Sequence, residues 1–330
     1  MRDGFRLLLV LLCLVLCPPV RSMEGDCRHS APACRPAEQS AHWAAESCLA
    51  IVPAAACGIS AGGVVNDDRK RDHRILKFAE PGDAAEDGDR ATGDKLGELR
   101  IRQLPGSCLG SSVWTASVHL VRFLWRETAV RWGGERLRGR AVLELGSGTG
   151  STAIALAKFF GASRVVASDA VPELVDLIAK NAHDNGIDAS CHTRQRRRRQ
   201  PDVSSPLAVH EYEWGENLDP LYDCLGGSTF DLVIGAEITA IEGGHQGLVS
   251  CLRAVLQDRP SSAAPPAVFL AETRRNVRQE RFWAMVRRSG LEREQVAEYP
   301  QCDPWNLSFG SDEPVRIYRV FPVGGHSDGG

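Results

Sequence analysis

No run of this chain is long enough to be read as a membrane span. The apolar stretch at residues 7–17 (LLLVLLCLVLC) falls well short of the ~20 residues a spanning helix needs. Zinc-ligand spacing is missing too, because the 11 cysteines include no Cys-x-x-Cys pair. Cys108, Cys191, Cys224, Cys251 and Cys302 have no histidine partner at ligand spacing, so they read as buried or surface thiols and no metal is expected. Neither charge sign dominates: 39 Lys and Arg stand against 42 Asp and Glu, a formal net charge of -3. Dense phosphate neutralisation leaves a domain strongly basic, so nucleic acid is not the expected partner. Nor do aromatic residues interleave the arginines at 194–199, which removes the stacking platforms of single-strand binding.

What is present begins with Arg2 and Arg6, the apolar run, Pro18-Pro19, and the small residues Val20 and Ser22 ahead of Met23. That is the layout of a secretory signal peptide over residues 1–22. The other reading starts the chain at Met23 and leaves it cytoplasmic. In an exported chain Cys27, Cys34, Cys48 and Cys57 would suit oxidised pairing, and Asn306-Leu307-Ser308 would be a glycosylation acceptor. Residues 23–97 show little apolar periodicity outside 49–56 and are expected to be a largely disordered or irregular extension, unable to offset chain entropy by burial. A short apolar run at 75–78 hints at a hairpin. The clearer signal is GELRIRQ at 97–103, where Leu99, Ile101 and Gln103 alternate with Arg100 and Arg102 in a strand pattern.

From residue 98 to 323 strands and helices alternate. Val113, Ala116, Leu120, Val121 and Leu124 fall at helical spacing, and further helices are expected at 151–160, 172–184, 247–256 and 279–289. Strands are expected at 140–145, 164–168, 207–212, 231–235, 267–271 and 315–321. Alternation of this kind predicts a doubly wound, mostly parallel α/β sheet with helices on both faces. Residues 188–206, with Arg194 and Arg196 to Arg199 followed by Pro201, Ser204, Ser205 and Pro206, read as a basic surface insertion. A solvated loop is the plain reading of it, and a grip on an acidic partner the functional one. Residues 324–330 read as a flexible tail, and the chain is expected to act as a monomer.

The chemistry is concentrated in VLELGSGTG at 142–150, an apolar strand that runs into Gly146, Gly148 and Gly150. Glycine allows a sharp turn and close approach to a ligand, and the following helix offers free N–H groups at the carboxyl end of the strand. A nicotinamide fingerprint would need glycine or alanine at 151, where Ser151 stands. A Walker loop is excluded because no Gly-Lys-Ser/Thr follows. Asp169 ends the next strand, where a carboxylate accepts both hydroxyls of a ribose. The pair of loop and carboxylate points to an adenosine ligand.

With LRIRQ, GSSVWTAS, VLELGSGTG, ASDA, EYEWGE and FDLVIGAEI in this order, the chain resembles the class I seven-stranded S-adenosylmethionine-dependent methyltransferases. More narrowly, it is similar to the protein-lysine methyltransferases of methyltransferase family 16, over residues 99–321. The resemblance implies a Rossmann-like seven-stranded sheet with a final antiparallel strand, S-adenosylmethionine as cofactor and a protein substrate. It also implies site residues. Gly146, Ser147, Gly148 and Gly150 would face the methionine part of the cofactor, with Glu144 helping to hold it, and Asp169 would take the ribose. Trp214 would pack near the adenine, Trp114 would close the pocket, and Ala236 would complete it at the end of the fourth strand.

One departure concerns the acceptor. The family usually carries Asp-x-x-Tyr after the fourth strand, whereas this chain has Glu237, Ile238, Thr239 and Ala240. A lysine with pKa ~10.4 must be presented as the free amine, at a cost of roughly 4 kcal/mol at neutral pH, and Glu237 is placed to orient it or take its proton. With Ala240 in place of tyrosine, a ring for the acceptor's stem would have to come from elsewhere, with Tyr212, Tyr222 and Trp305 as candidates. Two other readings fit the same residues: methylation of a small molecule or a different side chain, and an inactive protein that binds the cofactor.

Overall fold

The computed structural model describes residues 50–52, 72–79, 97–194, 203–257, 264–273, 277–299 and 313–324. The leader at 1–22, most of the extension to residue 97, Arg196 to Arg199, Trp305, the sequon at 306–308 and most of the tail lie outside them.

Two sheets are present among the described residues. Strands β1 (Ala50–Val52), β2 (His73–Ala79) and β3 (Gly97–Arg102) form a small antiparallel sheet in that order. β1 and β2 fall within the extension expected to be largely irregular, and β2 contains the apolar run at 75–78. Leu76 sits opposite Leu99 in the β2–β3 ladder, and both are buried.

The main sheet has eight strands in the order β10-β11-β9-β8-β4-β5-β7-β6. In chain order these are β4 (Ala141–Leu145), β5 (Arg164–Asp169), β6 (Ala189–His192), β7 (Leu207–Glu211), β8 (Leu232–Ala236), β9 (Ala267–Thr273), β10 (Leu291–Tyr299) and β11 (Val315–Pro322). Between them lie α1 (Thr115–Arg131), ahead of β4, then α2 (Ser151–Phe159), α3 (Pro172–Asp184), α4 (Asp219–Asp223), α5 (His245–Leu256) and α6 (Val277–Arg288). All neighbours pair in parallel except β11, which is antiparallel to both β9 and β10. The expected closing strand is therefore the antiparallel one. The sheet has eight strands where seven were expected; β10 was not anticipated, nor was β6. β6 lies inside the segment 188–206 read as a surface insertion, so the sheet claims 189–192, through backbone pairing to β7 rather than through apolar side chains.

Every residue of β4, β5 and β7 is buried, as central parallel strands covered by helices on both faces must be. The period of two divides their side chains between two cores. Val142, Val165, Ala167, Leu232 and Ile234 join the core under α1, α2 and α3, while Leu143, Leu145, Val166 and Val233 join the one under α5 and α6. By the same alternation Glu144, Asp169 and Thr273 lie on the α1–α3 face, and Glu272 lies on the opposite one.

The helices obey the same logic. In α3, Leu174, Val175, Leu177, Ile178, Asn181 and Ala182 form the buried stripe, with Pro172 at the start and Glu173 in the first turn, where the helix dipole favours an acid.

Candidate active site

The strand order reverses between β4 and β8, and the carboxyl ends of these strands open the crevice where ligands bind in such sheets. The chain leaves β4 through a loop whose three glycines all have left-handed φ: 65° at Gly146, 56° at Gly148 and 76° at Gly150. Space is as restrictive as conformation. A Cβ on Gly148 would stand 2.7 Å from the Gly110 carbonyl oxygen, and one on Gly146 would stand 2.7 Å from Ile238 and 3.0 Å from Trp214. The turn Leu109–Ser111 thus lies directly over the glycine loop, a neighbour across the chain that glycine spacing alone does not reveal.

Two buried carboxylates stand beside the loop. Asp169 Oδ2 accepts the Gly148 amide at 2.9 Å, and Oδ1 accepts the Val171 amide at 3.1 Å. Burial raises its pKa above the usual carboxylate range, and the bonds from the Gly148, Val171 and Ala170 amides pull it partly back. Glu144, 2% exposed, accepts the Ala153 amide at 3.0 Å and so serves an orphan donor in the first turn of α2. Its pKa is pushed up to about 7, chiefly by burial, with hydrogen bonds opposing and the charge of Asp169 adding. A cationic amino acid group and a ribose would each meet a carboxylate here. These residues therefore fit the chemistry of S-adenosylmethionine.

Ser147 lies between Gly146 and Gly148 in the loop. Its hydroxyl accepts the Ser168 amide at 3.1 Å and donates to the Glu144 carbonyl at 3.3 Å, so it stitches the ends of β4 and β5 together. Trp214 is half-buried and packs against Gly146 and Gly244, beside the loop. Trp114 is also half-buried, precedes α1, and donates its indole N–H to the Leu109 carbonyl at 2.9 Å, which secures the overlying turn. Ala236 ends β8, next to the glycine loop's strand.

Glu237 follows immediately, with φ 60° and ψ 13°, a left-handed conformation that costs any residue with a Cβ. Its Oε1 accepts the Thr273 hydroxyl at 2.8 Å and the Thr273 amide at 3.2 Å, and its own amide donates to the Ala271 carbonyl at 2.8 Å. The carboxylate is therefore oriented by β9 before any acceptor arrives. The structure brings Glu144, Gly146, Ser147, Gly148, Gly150, Asp169, Trp114, Trp214, Ala236 and Glu237 to the carboxyl end of the central strands.

Of the candidate rings, Tyr212 lies at the carboxyl end of β7, with its amide donated to the Asp169 carbonyl at 2.9 Å, but its ring packs into the core under α5 and α6 and its hydroxyl donates to the Glu216 carbonyl at 2.9 Å. Tyr222 packs on Phe230 at 5.2 Å between centroids, at the other end of β8. Sequence reasoning gave no role of their own to Gly110, Asn181, Thr239, Glu272, Thr273, Gln279 and His245. Gly110 begins GSSVWTAS and Thr239 stands in the segment 237–240, but what each of the seven touches is set only by the fold. Among the described residues no group of His, Cys, Asp and Glu could hold a metal ion, and no helix is long and apolar enough to cross a membrane.

The family model described as lysine methyltransferase matches residues 94–289. A protein-lysine N-methyltransferase, EFM3, of Chaetomium thermophilum is 30% identical over 185 residues, covering 55% of this chain and 48% of the relative. The protein N-lysine methyltransferase METTL21A of Danio rerio is 34% identical over 208 residues, covering 63% of this chain and 75% of that one. A calmodulin-lysine N-methyltransferase of Arabidopsis thaliana is 26% identical over 158 residues, covering 48% and 45%. The chain thus spans about half the length of two of these relatives and three quarters of the third.

Proposed function

Because the chain belongs to the lysine methyltransferase family, we propose that it transfers a methyl group from S-adenosylmethionine to the side-chain nitrogen of a lysine in a protein substrate. The observation that carries this reading is the left-handed glycine loop at the β4–β8 switch point, closed on Asp169 through the Gly148 amide at 2.9 Å. Asp169 would hold the ribose, Glu144 the methionine amino group and Trp214 the adenine side.

When bound, S-adenosylmethionine supplies a sulfonium methyl: the lysine nitrogen forms the new C–N bond, the C–S electron pair returns to sulfur, and the nitrogen loses a proton. The chain's own task is to present that nitrogen unprotonated. Burial of the crevice disfavours the ammonium, and Glu237, its carboxylate fixed by Thr273, would orient the amine and take its proton directly or through water.

Calorimetry with S-adenosylmethionine, followed by transfer of tritiated methyl into lysate proteins, tests the assignment. Asp169→Ala should abolish binding. Glu237→Gln should leave binding intact and lower transfer by about 100-fold, the range of a general acid–base contribution. Binding without label in protein would point to a small-molecule acceptor or to an inactive binder, and no binding by folded protein would sink the cofactor assignment.

A further inference from the structure

Behind the crevice, on the opposite face of the sheet, lies a polar cluster that the proposed chemistry leaves unused. Glu272 on β9 is 3% exposed. It accepts the Thr239 hydroxyl and, at 3.0 Å, the Trp283 indole N–H, and Arg293 of β10 stands 4.0 Å away. Thr239 is itself fully buried and belongs to the turn Ile238–Ala240 that follows Glu237. The same turn is held by His245, whose Nε2 bonds the Thr239 carbonyl at 2.8 Å, and by Gln279, whose side-chain amide donates to the Thr239 hydroxyl at 3.5 Å as well as to the Thr273 carbonyl at 2.9 Å.

A buried carboxylate is expensive to keep and needs several partners to be tolerated. Joining α6 to β9 would require only the bond to Trp283, which an amide or a neutral acceptor would supply equally well. The additional bond to Thr239 has a different consequence. Glu237 stands in a left-handed conformation that relaxes unless its surroundings hold it. Two consecutive residues of β9 do so from opposite faces: Thr273 grips the Glu237 carboxylate, and Glu272 grips the turn one residue beyond Ile238. Glu272 bonds Thr239 and Trp283 and not Glu237 itself, so these contacts link it to Glu237 through that turn.

Resting on the methyltransferase reading above, we infer that Glu272 is a positioning residue, which through the Thr239 hydroxyl holds the turn 238–240 and keeps the Glu237 carboxylate aimed at the acceptor nitrogen. Thr239→Val removes the hydroxyl without changing shape, while Thr239→Ser restores it. Initial rates of tritiated methyl transfer into a fixed lysate protein fraction, with cofactor affinity from calorimetry and folding from thermal melts, read the effect in the full chain. Thr239→Val should lower kcat about tenfold with cofactor Kd within about twofold of the unsubstituted chain, and Thr239→Ser should recover the rate. Glu272→Gln, which keeps an acceptor oxygen, should fall between them.

The decisive arm is the double substitution. If Thr239 acts through Glu237, Thr239→Val adds nothing in a Glu237→Gln background, whereas a purely structural loss would add in full. Additive losses, or a Thr239→Val rate within about twofold of normal, would overturn the inference while leaving the methyltransferase reading intact. Cofactor binding with no transfer by the unsubstituted chain would overturn both.

Discussion

Glu144 occupies a strand position between Leu143 and Leu145, where every other side chain of β4 is apolar. Its carboxyl is pushed up to about 7 from an ordinary 4.5, mainly by burial. Between those two values the folded chain keeps a proton that the unfolded chain has lost. Stability from this group therefore falls as pH rises through that window and levels off above it. A cationic ligand group beside Glu144 favours the ionised form, so cofactor affinity should rise from pH 6 to 8. Binding at pH 6.5 should release a proton, detected by calorimetry in two buffers of different ionisation enthalpy. Asp169 is raised as well, so Glu144→Gln is the arm that isolates the effect, and a proton release unchanged in that variant would refute the assignment to Glu144. The neighbouring loop makes a second residue-scale prediction. Gly148→Ala meets both a left-handed φ of 56° and the Gly110 carbonyl at 2.7 Å. It should destabilise the fold by at least about 1–2 kcal/mol in urea melts and weaken the cofactor, because the backbone that would have to move carries the amide bonded to Asp169. Glycine spacing and Asp169 were legible in the sequence because both belong to one local strand-loop-helix-strand pattern. Gly110 was not, since its need for glycine arises only when residue 148 is folded beneath it.

At the scale of elements, the free edge of β3 is closed by a helix instead of another strand. Asn185 accepts the Arg100 amide and donates to the Arg100 carbonyl, both at 2.9 Å, and Asn181 does the same for Arg102 at 2.7 and 3.2 Å. Two amides spaced i, i+4 on α3 thus mimic the edge of a sheet and remove an unpaired ladder. Asn181 also donates to the Thr149 carbonyl at 2.8 Å, inside the glycine loop. The two residues should therefore separate in experiment. Asn185→Ala should cost about 1–3 kcal/mol by leaving the Arg100 groups unpaired, with cofactor affinity unchanged. Asn181→Ala should cost a similar amount in urea melts and also raise the cofactor Kd. Equal cofactor Kd in the two variants would show that the Thr149 bond does not brace the loop. This arrangement also explains which elements the sequence displayed. The spacing of Leu174, Val175, Leu177 and Ile178 announces α3, but the work of Asn181 and Asn185 is invisible until β3 lies against them. Likewise β10 went unseen because LEREQVAEY exposes most of its side chains and owes its strand form to the ladder with β11. Its charged residues suit an edge that must not recruit another chain.

For the whole molecule, the order β10-β11-β9-β8-β4-β5-β7-β6 means that the chain builds one half of the sheet outward from β4, then returns to build the other from β8. That alternation, with the closing antiparallel strand, was readable because each buried parallel strand is an apolar run bounded by an amphipathic helix. The strands that were missed, β1, β2, β6 and β10, lie in the small sheet or at the two edges of the large one, where pairing and not side-chain pattern decides. The same topology predicts how ligand binding acts on stability. A cofactor held by Asp169 after β5, Trp214 after β7, the loop after β4 and Ala236 at the end of β8 would bridge both halves across their seam, and would touch the turn at 109–111 that covers the loop. It would bind only the folded sheet. At a free concentration of ~100 Kd such a ligand adds about 2.7 kcal/mol, and each kcal/mol moves the melting temperature of a domain of about this size by ~2–4 °C, so S-adenosylmethionine should raise Tm by about 5–10 °C. Asp169→Ala should erase that rise, while Glu237→Gln and Thr239→Val, which act on the acceptor side, should keep it. A thermal shift lost in all three variants would mean that the two sides of the crevice form one binding unit, and the division of labour between cofactor and acceptor residues would have to be redrawn.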